Sequence, residues 1–437
     1  MFLLEKTEEI TPALIGKILN EFITGDCKKI SNYYNYYLGK QDILRKKYVD
    51  PCKPCNKIVT NYCSDITNTY LGYLLGKSIT YSSNENIDNI LDVMNYNDIN
   101  TEDTELLKWA LITGVGYEIH YIDEDGKQRF RVLDSRECIP IFDADLNQEL
   151  RALIRFYKVD QPGAVNDKYY IELYQADTTQ KYISNVTFSS LNLIEEVPNY
   201  YHMVPAVVFY LNEEHTSIFD RVMGLNDAYN TLVSSSVDDF EAFCDAYMVL
   251  ENMDVDEEVI GTMKENRVLI IPSGGKASYL TKNVTEQQVM ELLDLINKNI
   301  HKIAMCPDFS DEAFGTQSGI ALKIKLLGME NNAKSIENTM RKALQKRIEL
   351  LCAILSLSEG DNVWRDINIV FSRNMPEDET ALVTELLQLR GLVSDETLLS
   401  RIPWIDDVDE ELNKIEEQKS KSDIYKNFEV INEGMGD

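Results

Sequence analysis

The spacing of apolar positions along the chain divides it into a helical stretch, a strand-rich stretch and a second helical stretch. In the first, Thr11-Pro12 has the form of an N-cap followed by proline at the first helical position. A tyrosine-rich helical segment at 32–38 ends at Gly39. Ile58, Tyr62, Ile66, Tyr70 and Tyr73 recur at helical spacing, and Gly76 closes that helix. After an extended piece at 77–81, Leu106, Leu107 and Trp109 mark a helix from about Thr101 to Gly114.

From Val115 the period drops to two. Segments at 117–121 and 128–133 flank Asp123-Glu124-Asp125-Gly126, which reads as a hairpin turn. Segments at 139–142 and 150–157 flank a second polar turn, and 169–174, 181–188 and 205–210 add strands. Together they predict a sheet built mostly of antiparallel hairpins.

After Asp220 the pattern is helical again. Phe219, Val222, Leu225, Tyr229, Leu232, Ser236, Phe240, Phe243 and Tyr247 step by threes and fours. A continuous helix over 220–250 would be roughly 45 Å long. An acidic, glycine-containing segment follows, with a strand predicted at 267–271. Thr285-x-x-Gln288 has capping-box spacing, and Val289, Leu292, Ile296, Ile300 and Ile303 predict the buried stripe of a second helix. Pro307 and Gly315 interrupt the pattern at 306–318. Leu326, Met329, Ala333, Ile336, Met340, Leu344, Ile348 and Leu351 then predict a helix over 318–357, roughly 60 Å long. A strand at 367–371, a helix opened by Pro376, a shorter one capped by Ser394 and a charged helix at 409–421 complete the reading. The fold class is α+β. Two long helices with apolar stripes exceed what one small domain buries, so they are expected to pack against further copies, with Ser234-Ser235-Ser236 permitting close approach.

Composition narrows the function classes. Hydrophobic residues make up 44% of the chain, which excludes wholesale disorder. The net charge of −30 repels phosphate at long range and disfavours a tight, wrapping nucleic-acid binder. The longest apolar run, 204–211, falls short of the ~18 residues of a membrane span. Glu5, Glu8 and Glu9 follow the N-terminus where a signal peptide would be basic and then apolar, so the expected compartment is the cytoplasm. Eight cysteines are too few for a disulfide scaffold.

Candidate chemistry is sparse. Gly72-Tyr-Leu-Leu-Gly76-Lys77-Ser78 is one residue short of a phosphate-binding loop and closes a helix instead of opening one. Cys52-Lys-Pro-Cys55, with Cys63 and Cys27 near it, is the best metal or thiol-redox candidate, but zinc needs four ligands and no second such pair exists. His120, His202, His215 and His301 are scattered outside ligand spacing. Asp143-Ala-Asp145 and Asp254-Val-Asp256-Glu257-Glu258 lack the spacing of a calcium loop. Ser273-Gly274-Gly275-Lys276 lacks the context of a nucleophile elbow. No enzyme signature is present and no cofactor is expected.

Several segments, taken in order, resemble the portal proteins of tailed bacteriophages, the head–tail connector family. They are Tyr36-Tyr37-Leu38-Gly39-Lys40-Gln41-Asp42-Ile43-Leu44, Asn56-Lys57-Ile58-Val59-Thr60-Asn61-Tyr62, Tyr70-Leu71-Gly72-Tyr73-Leu74-Leu75-Gly76-Lys77 and the 114–121 strand. Ser318-Gly319-Ile320-Ala321-Leu322-Lys323, Asn374-Met375-Pro376 and the 391–397 segment continue the series. The likeness runs from about Tyr36 to about Glu417. It departs from the family at Cys52 and Cys55, which the family does not require, and in a short tail after Lys421.

The resemblance implies a ring, typically of twelve subunits, at one capsid vertex, through which double-stranded DNA passes without sequence recognition. It maps a wing of antiparallel hairpins and helices onto 1–217 and stem helices onto 218–250 and 285–305. A clip falls at 251–284, a tunnel loop at 306–318, a long kinked helix and return strand at 319–375, and a helical crown at 376–437. The tunnel loop would line the channel through Pro307, Asp308, Phe309, Ser310, Asp311, Glu312, Ala313, Phe314 and Gly315, an acidic collar that repels phosphate. Lys298 and Lys302 would form basic rings, or, for Lys298, simply pair with Asp294. Lys264, Arg267 and Lys276 would contact the adaptor and terminase. The implied partners are further copies of the chain, a terminase motor, a head-completion or adaptor protein, and capsid and scaffolding proteins. The implied setting is the virion, with no membrane. Competing readings are a zinc or thiol-redox protein using Cys52 and Cys55, and another acidic ring or adaptor protein of the phage head.

Overall fold

The computed structural model describes residues 2–47, 54–159, 168–244, 247–251, 276–280, 286–309, 319–355 and 363–374, with a further part of 384–415. The chain forms two compact units, Met1–Asn374 and Met375–Asp437.

In the first unit, helix α1 (Pro12–Thr24) begins as its sequence dictates: the Thr11 hydroxyl accepts the Leu14 N–H at 3.3 Å, and Pro12 sits where no N–H is needed. Its apolar positions Ile15, Ile18, Leu19 and Phe22 pack on one face of a six-stranded sheet, against Ile139, Ile141, Ile154, Phe156, Ile171 and Leu173. That sheet contains β1 (Phe2–Leu4), β5 (Cys138–Asp143), β6 (Leu150–Lys158), β7 (Tyr169–Tyr174), β8 (Thr178–Ser184) and β9 (Leu191–Pro198), in the order β1-β5-β6-β7-β8-β9. Every pairing is antiparallel except β1 with β5. The expected strand at 181–188 stops at Ser184, and the chain then turns through Phe188 at a positive φ of 50° to bury that ring beside α1. β1 and β9, both at sheet edges, were not apparent from periodicity. Each contributes few residues to an alternating buried face.

Helix α2 is Asp26–Tyr37. Helix α3 is Tyr62–Leu75, and Ile58 lies before it in extended chain, so the helical spacing that included Ile58 starts one turn late. The strand β2 (Thr80–Ser82) pairs with the distant β13 (Asn368–Val370). Helices α4 (Asp88–Tyr96), missed at the sequence level, and α5 (Ile99–Thr113) follow. Gly114 ends α5 at φ +86°, where a Cβ would meet the backbone of His215 and Thr216 at 2.6–2.7 Å, so only glycine fits. A second sheet has the order β10-β3-β4: β10 (Ala206–Tyr210), β3 (Val115–Ile122) and β4 (Gln128–Leu133).

The long helix α8 (Gly319–Leu355) buries Leu326, Met329, Ala333, Ile336, Met340, Leu344, Ile348 and Leu351, the stripe its spacing predicts. It also buries charged side chains, Glu337 and Arg347. Arg347, fully enclosed, donates from Nε and Nη2 to Glu118 of β3 (2.9 and 2.6 Å) and from Nη1 to Asp103 of α5. His120 Nε2 lies 2.9 Å from the same Glu118. Burial opposes ionisation of Glu118, but Arg347 and the His120 hydrogen bond outweigh it and hold the carboxyl down at about 2. Burial dominates at Asp103 and raises its pKa, and it lowers that of His120.

In the second unit, the short helix α9 (Asp395–Leu399) is capped as expected: the Ser394 hydroxyl accepts the Thr397 N–H at 3.3 Å. The expected helix start at Pro376 lies outside the described residues.

Candidate functional site

Between β10 and α8 along the chain lie α6 (Met223–Cys244) and α7 (Glu286–Ala304). Asn226, Asn230, Ser234 and Asp238 recur every fourth residue along one face of α6. They accept main-chain N–H groups from every second residue of the extended segment that leads into α3, ending at its first residue: Asn56 (2.6 Å), Ile58 (3.0 Å), Thr60 (2.7 Å) and Tyr62 (3.1 Å), bound by Asp238, Ser234, Asn230 and Asn226 respectively. Four helical residues advance about 6 Å and two extended residues about 6.6 Å, so the two ladders stay in step. Gln41 locks the rungs: its Oε1 accepts from Asn226 (2.6 Å) and Asn230 (2.5 Å), and its Nε2 donates to Asn61 (3.1 Å). Asp238, the charged rung, also takes Lys46 at 2.8 Å. Desolvation raises its pKa, but the hydrogen bonds from Lys46 and Asn56 prevail and lower it. Ser234 is fully buried by this strap, within its own chain. A period of four polar residues on a helix is visible in sequence, but nothing local says that backbone will cover them.

The predicted helix over 220–250 is shorter than expected. A 3-10 turn at Asp220–Val222 precedes α6, α6 ends at Cys244, and β11 (Tyr247–Glu251) pairs antiparallel with β12 (Lys276–Leu280). Tyr247-Met-Val-Leu suits a strand as well as a helical stripe, and the pairing with 276–280 decides between them. Lys276 is thus the β12 residue opposite Glu251. Lys264 and Arg267, and the strand predicted at 267–271, lie outside the described residues.

On α7, of the stripe predicted to be buried, Ile300 is enclosed, whereas Leu292 and Ile303 are exposed by 45% and 43%. Met290 and Leu295 are exposed by 70% and 55%. The apolar stripe is therefore covered by its own chain at Ile300 and left open at Leu292, Leu295 and Ile303. Lys298 pairs with Asp294 at 3.2 Å on the exposed surface, and Lys302 is exposed in the last turn.

α7 ends in a turn held from three sides. Met305 has a positive φ of 53°, and the Cys306 N–H returns to the His301 carbonyl at 3.0 Å. The Tyr70 hydroxyl, from α3, lies 3.0 Å from the Ala304 carbonyl and 3.2 Å from that of Met305, and Asn332 of α8 donates to the Tyr70 oxygen at 3.0 Å. Asp308 accepts from Asn297 at 3.1 Å, beside His301. Pro307 and Asp308 are half-buried and Phe309 is exposed; Ser310, Asp311, Glu312, Ala313, Phe314 and Gly315 lie outside the described residues. An open cleft of about 410 Å³ lined by Tyr62, Asp65, Tyr229, Asn297, His301 and Asp308 adjoins this turn. Tyr70 is read from sequence only as a core position of α3; its hydroxyl's partners come from helices far along the chain.

Among the described residues the other sequence candidates are not brought together. Gly72 lies inside α3 and Gly76 caps its C-terminal end, so the near-motif presents carbonyls where a phosphate loop presents N–H groups. Cys55 is a half-buried free thiol, and Cys52 lies outside the described residues. Among the described residues no group of three or more His, Cys, Asp or Glu is placed to hold a metal ion. Among them, too, no helix is long and apolar enough to cross a membrane.

Comparison with known proteins bears on this arrangement. The chain is 24% identical over 433 residues to the portal protein of Clostridium phage phiCD119, covering 90% of this chain and 94% of that one. It is 24% identical over 419 residues to the portal protein of Bacillus phage SPP1, covering 88% of this chain and 82% of that one. Residues 19–424 match the sequence model described as phage portal protein, SPP1 Gp6-like, and the chain belongs to that family.

Proposed function

We propose that the chain assembles into a closed ring that forms the DNA channel at one vertex of a phage head, and that it works mechanically, without catalysis. The observation that carries this reading is the uncovered part of the apolar stripe of α7. Leu292, Leu295 and Ile303 are open to solvent in one chain, and Phe240 of α6 is 66% exposed. Surfaces of this kind mark association sites, and a neighbouring copy of the same two helices covers them. The net charge of −30 suits a conduit, since neutralising many phosphates would grip the duplex and stall sliding.

In this reading α6 and α7 are the stem, the hairpin begun by β11 and β12 is the clip that meets the adaptor and the terminase, and 306–318 is the loop that lines the channel. The acidic residues Asp308, Asp311 and Glu312 repeat around the ring. Residues 1–217 form the wing, α8 and β13 tie the wing to the stem, and 376–437 form the crown. Capsid protein surrounds the wing in the virion, and scaffolding protein is a partner during assembly. The test is electron microscopy and light scattering of the purified protein. A wide ring above a narrower stem is expected; a 50 kDa monomer at micromolar concentration and moderate salt would overturn the proposal. Deleting residues 310–313 should leave rings intact and impair DNA packaging or retention.

A further inference from the structure

We infer that the buried hydroxyl of Tyr70, aimed by Asn332, is the group that positions the root of the channel loop; the inference rests on the reading of 306–318 as that loop. A helix C-terminus leaves its last carbonyls without intrahelical partners. At α7 these include the carbonyls of Ala304 and Met305, and the chain leaves toward the loop from there. Tyr70 is fully buried and reaches both carbonyls, at 3.0 and 3.2 Å.

A phenol has one proton to give and an oxygen that accepts. The Asn332 amide fills the accepting side at 3.0 Å, which leaves the proton directed at the two carbonyls. Burial raises the Tyr70 pKa, so the group stays a neutral donor. One oxygen atom thus joins α3, α7 and α8. Three residues beyond Met305, the 3.1 Å hydrogen bond from Asn297 draws Asp308 back onto α7. The turn leaves in a direction dictated by the wing helices, and a change in their spacing is delivered to the loop through Tyr70.

Tyr70→Phe keeps the ring and its packing and removes only the hydroxyl. A buried carbonyl left unpaired shifts the local equilibrium by about 5- to 150-fold. Exchange of the Cys306 amide in assembled rings should rise by that factor, with exchange at the centre of α8 unchanged, and filled heads should lose DNA. Asn332→Asp supplies the second variant. Its carboxylate takes the Tyr70 proton away from the carbonyls, so it should reproduce Tyr70→Phe, and it decides the matter if Tyr70→Phe fails to assemble. A role for Tyr70 in packing alone predicts no effect of either variant. Wild-type exchange at Cys306, or raised exchange with normal DNA retention, overturns the inference. The 310–313 deletion separates the two failures. If it too retains DNA, the channel-loop reading is at fault; if it leaks while Tyr70→Phe holds DNA, only the role of Tyr70 is.

Discussion

Replacing Arg347 with methionine tests the electrostatic pin between α8 and the rest of the first unit. Arg347 is completely enclosed, holds Glu118 through two of its nitrogens, contacts Asp103 through a third, and lies 4.9 Å from the centre of the Phe130 ring. Methionine fills much of the volume but leaves two buried carboxyls, Glu118 and Asp103, without their cation, with His120 and the buried Tyr81 hydroxyl beside them. Breaking a buried pair from one side costs about 3–5 kcal/mol, a large part of the ~5–15 kcal/mol that holds a domain together. At ~2 °C per kcal/mol for a large domain, the melting temperature should fall by about 6–10 °C. The assay is thermal and urea unfolding followed by tryptophan emission, with Trp109 reporting from α5. The companion variant adds Glu118→Gln and Asp103→Asn, which discharges the stranded carboxyls and should recover most of the loss. A single variant melting within ~2 °C of the parent would refute the argument. If the triple variant is as unstable as the single, the cost is one of packing, not stranded charge.

Asn230→Ala removes a fully buried rung that takes the Thr60 N–H and ties Gln41, and should cost about 1–3 kcal/mol in urea unfolding; a loss below ~0.5 kcal/mol would mean the strap is not held by its ladder. Gly114→Ala puts a side chain into left-handed backbone against His215 and should destabilise by at least about 1–2 kcal/mol, checked by the same melts. Changing Leu295 and Ile303 together to aspartate should abolish rings in light scattering while leaving the melting temperature of the free subunit unchanged, because both side chains are exposed in one chain. Burial pushes Glu330 and Glu337 up, but hydrogen bonds outweigh it, from Arg373 and Tyr73 at Glu330 and from Lys334, Arg341 and Arg373 at Glu337, so both are lowered from the ordinary glutamate value. Carboxylates depressed in the folded state bind protons more readily when unfolded, so their stabilisation is full above about pH 4.3 and is lost as pH falls below it. Arg373→Met should therefore flatten the acid side of the melting-temperature profile; an unchanged acid limb would count against that network.

Much of the architecture was legible along the chain because it is local. Strands β4 and β7 have the bounds their alternation predicts, Thr11-Pro12 starts α1, and the near-heptad spacing of α8 marks its buried stripe. The order of short segments also pointed to the family that the comparison then showed. Periodicity, however, reports which face of an element is apolar and not what will cover it. Leu292 and Ile303 carry the same signal as Ile300, yet a single chain covers only Ile300. Tyr247-Met-Val-Leu reads as the end of a helix until Lys276–Leu280 lies beside it. Ile58 fits a helical stripe, but its N–H is taken by Ser234 in an extended strap. Arg347 sits on α8 as one more charged residue until β3 and α5 bring Glu118 and Asp103 to it. The amino-acid sequence by itself determined the elements, their apolar faces and the acidic character of the whole. Tertiary structure alone decided which polar groups became the rungs of α6, the Arg347 pin and the Tyr70 cap, because each depends on a partner more than a hundred residues away, delivered only when the whole unit has closed.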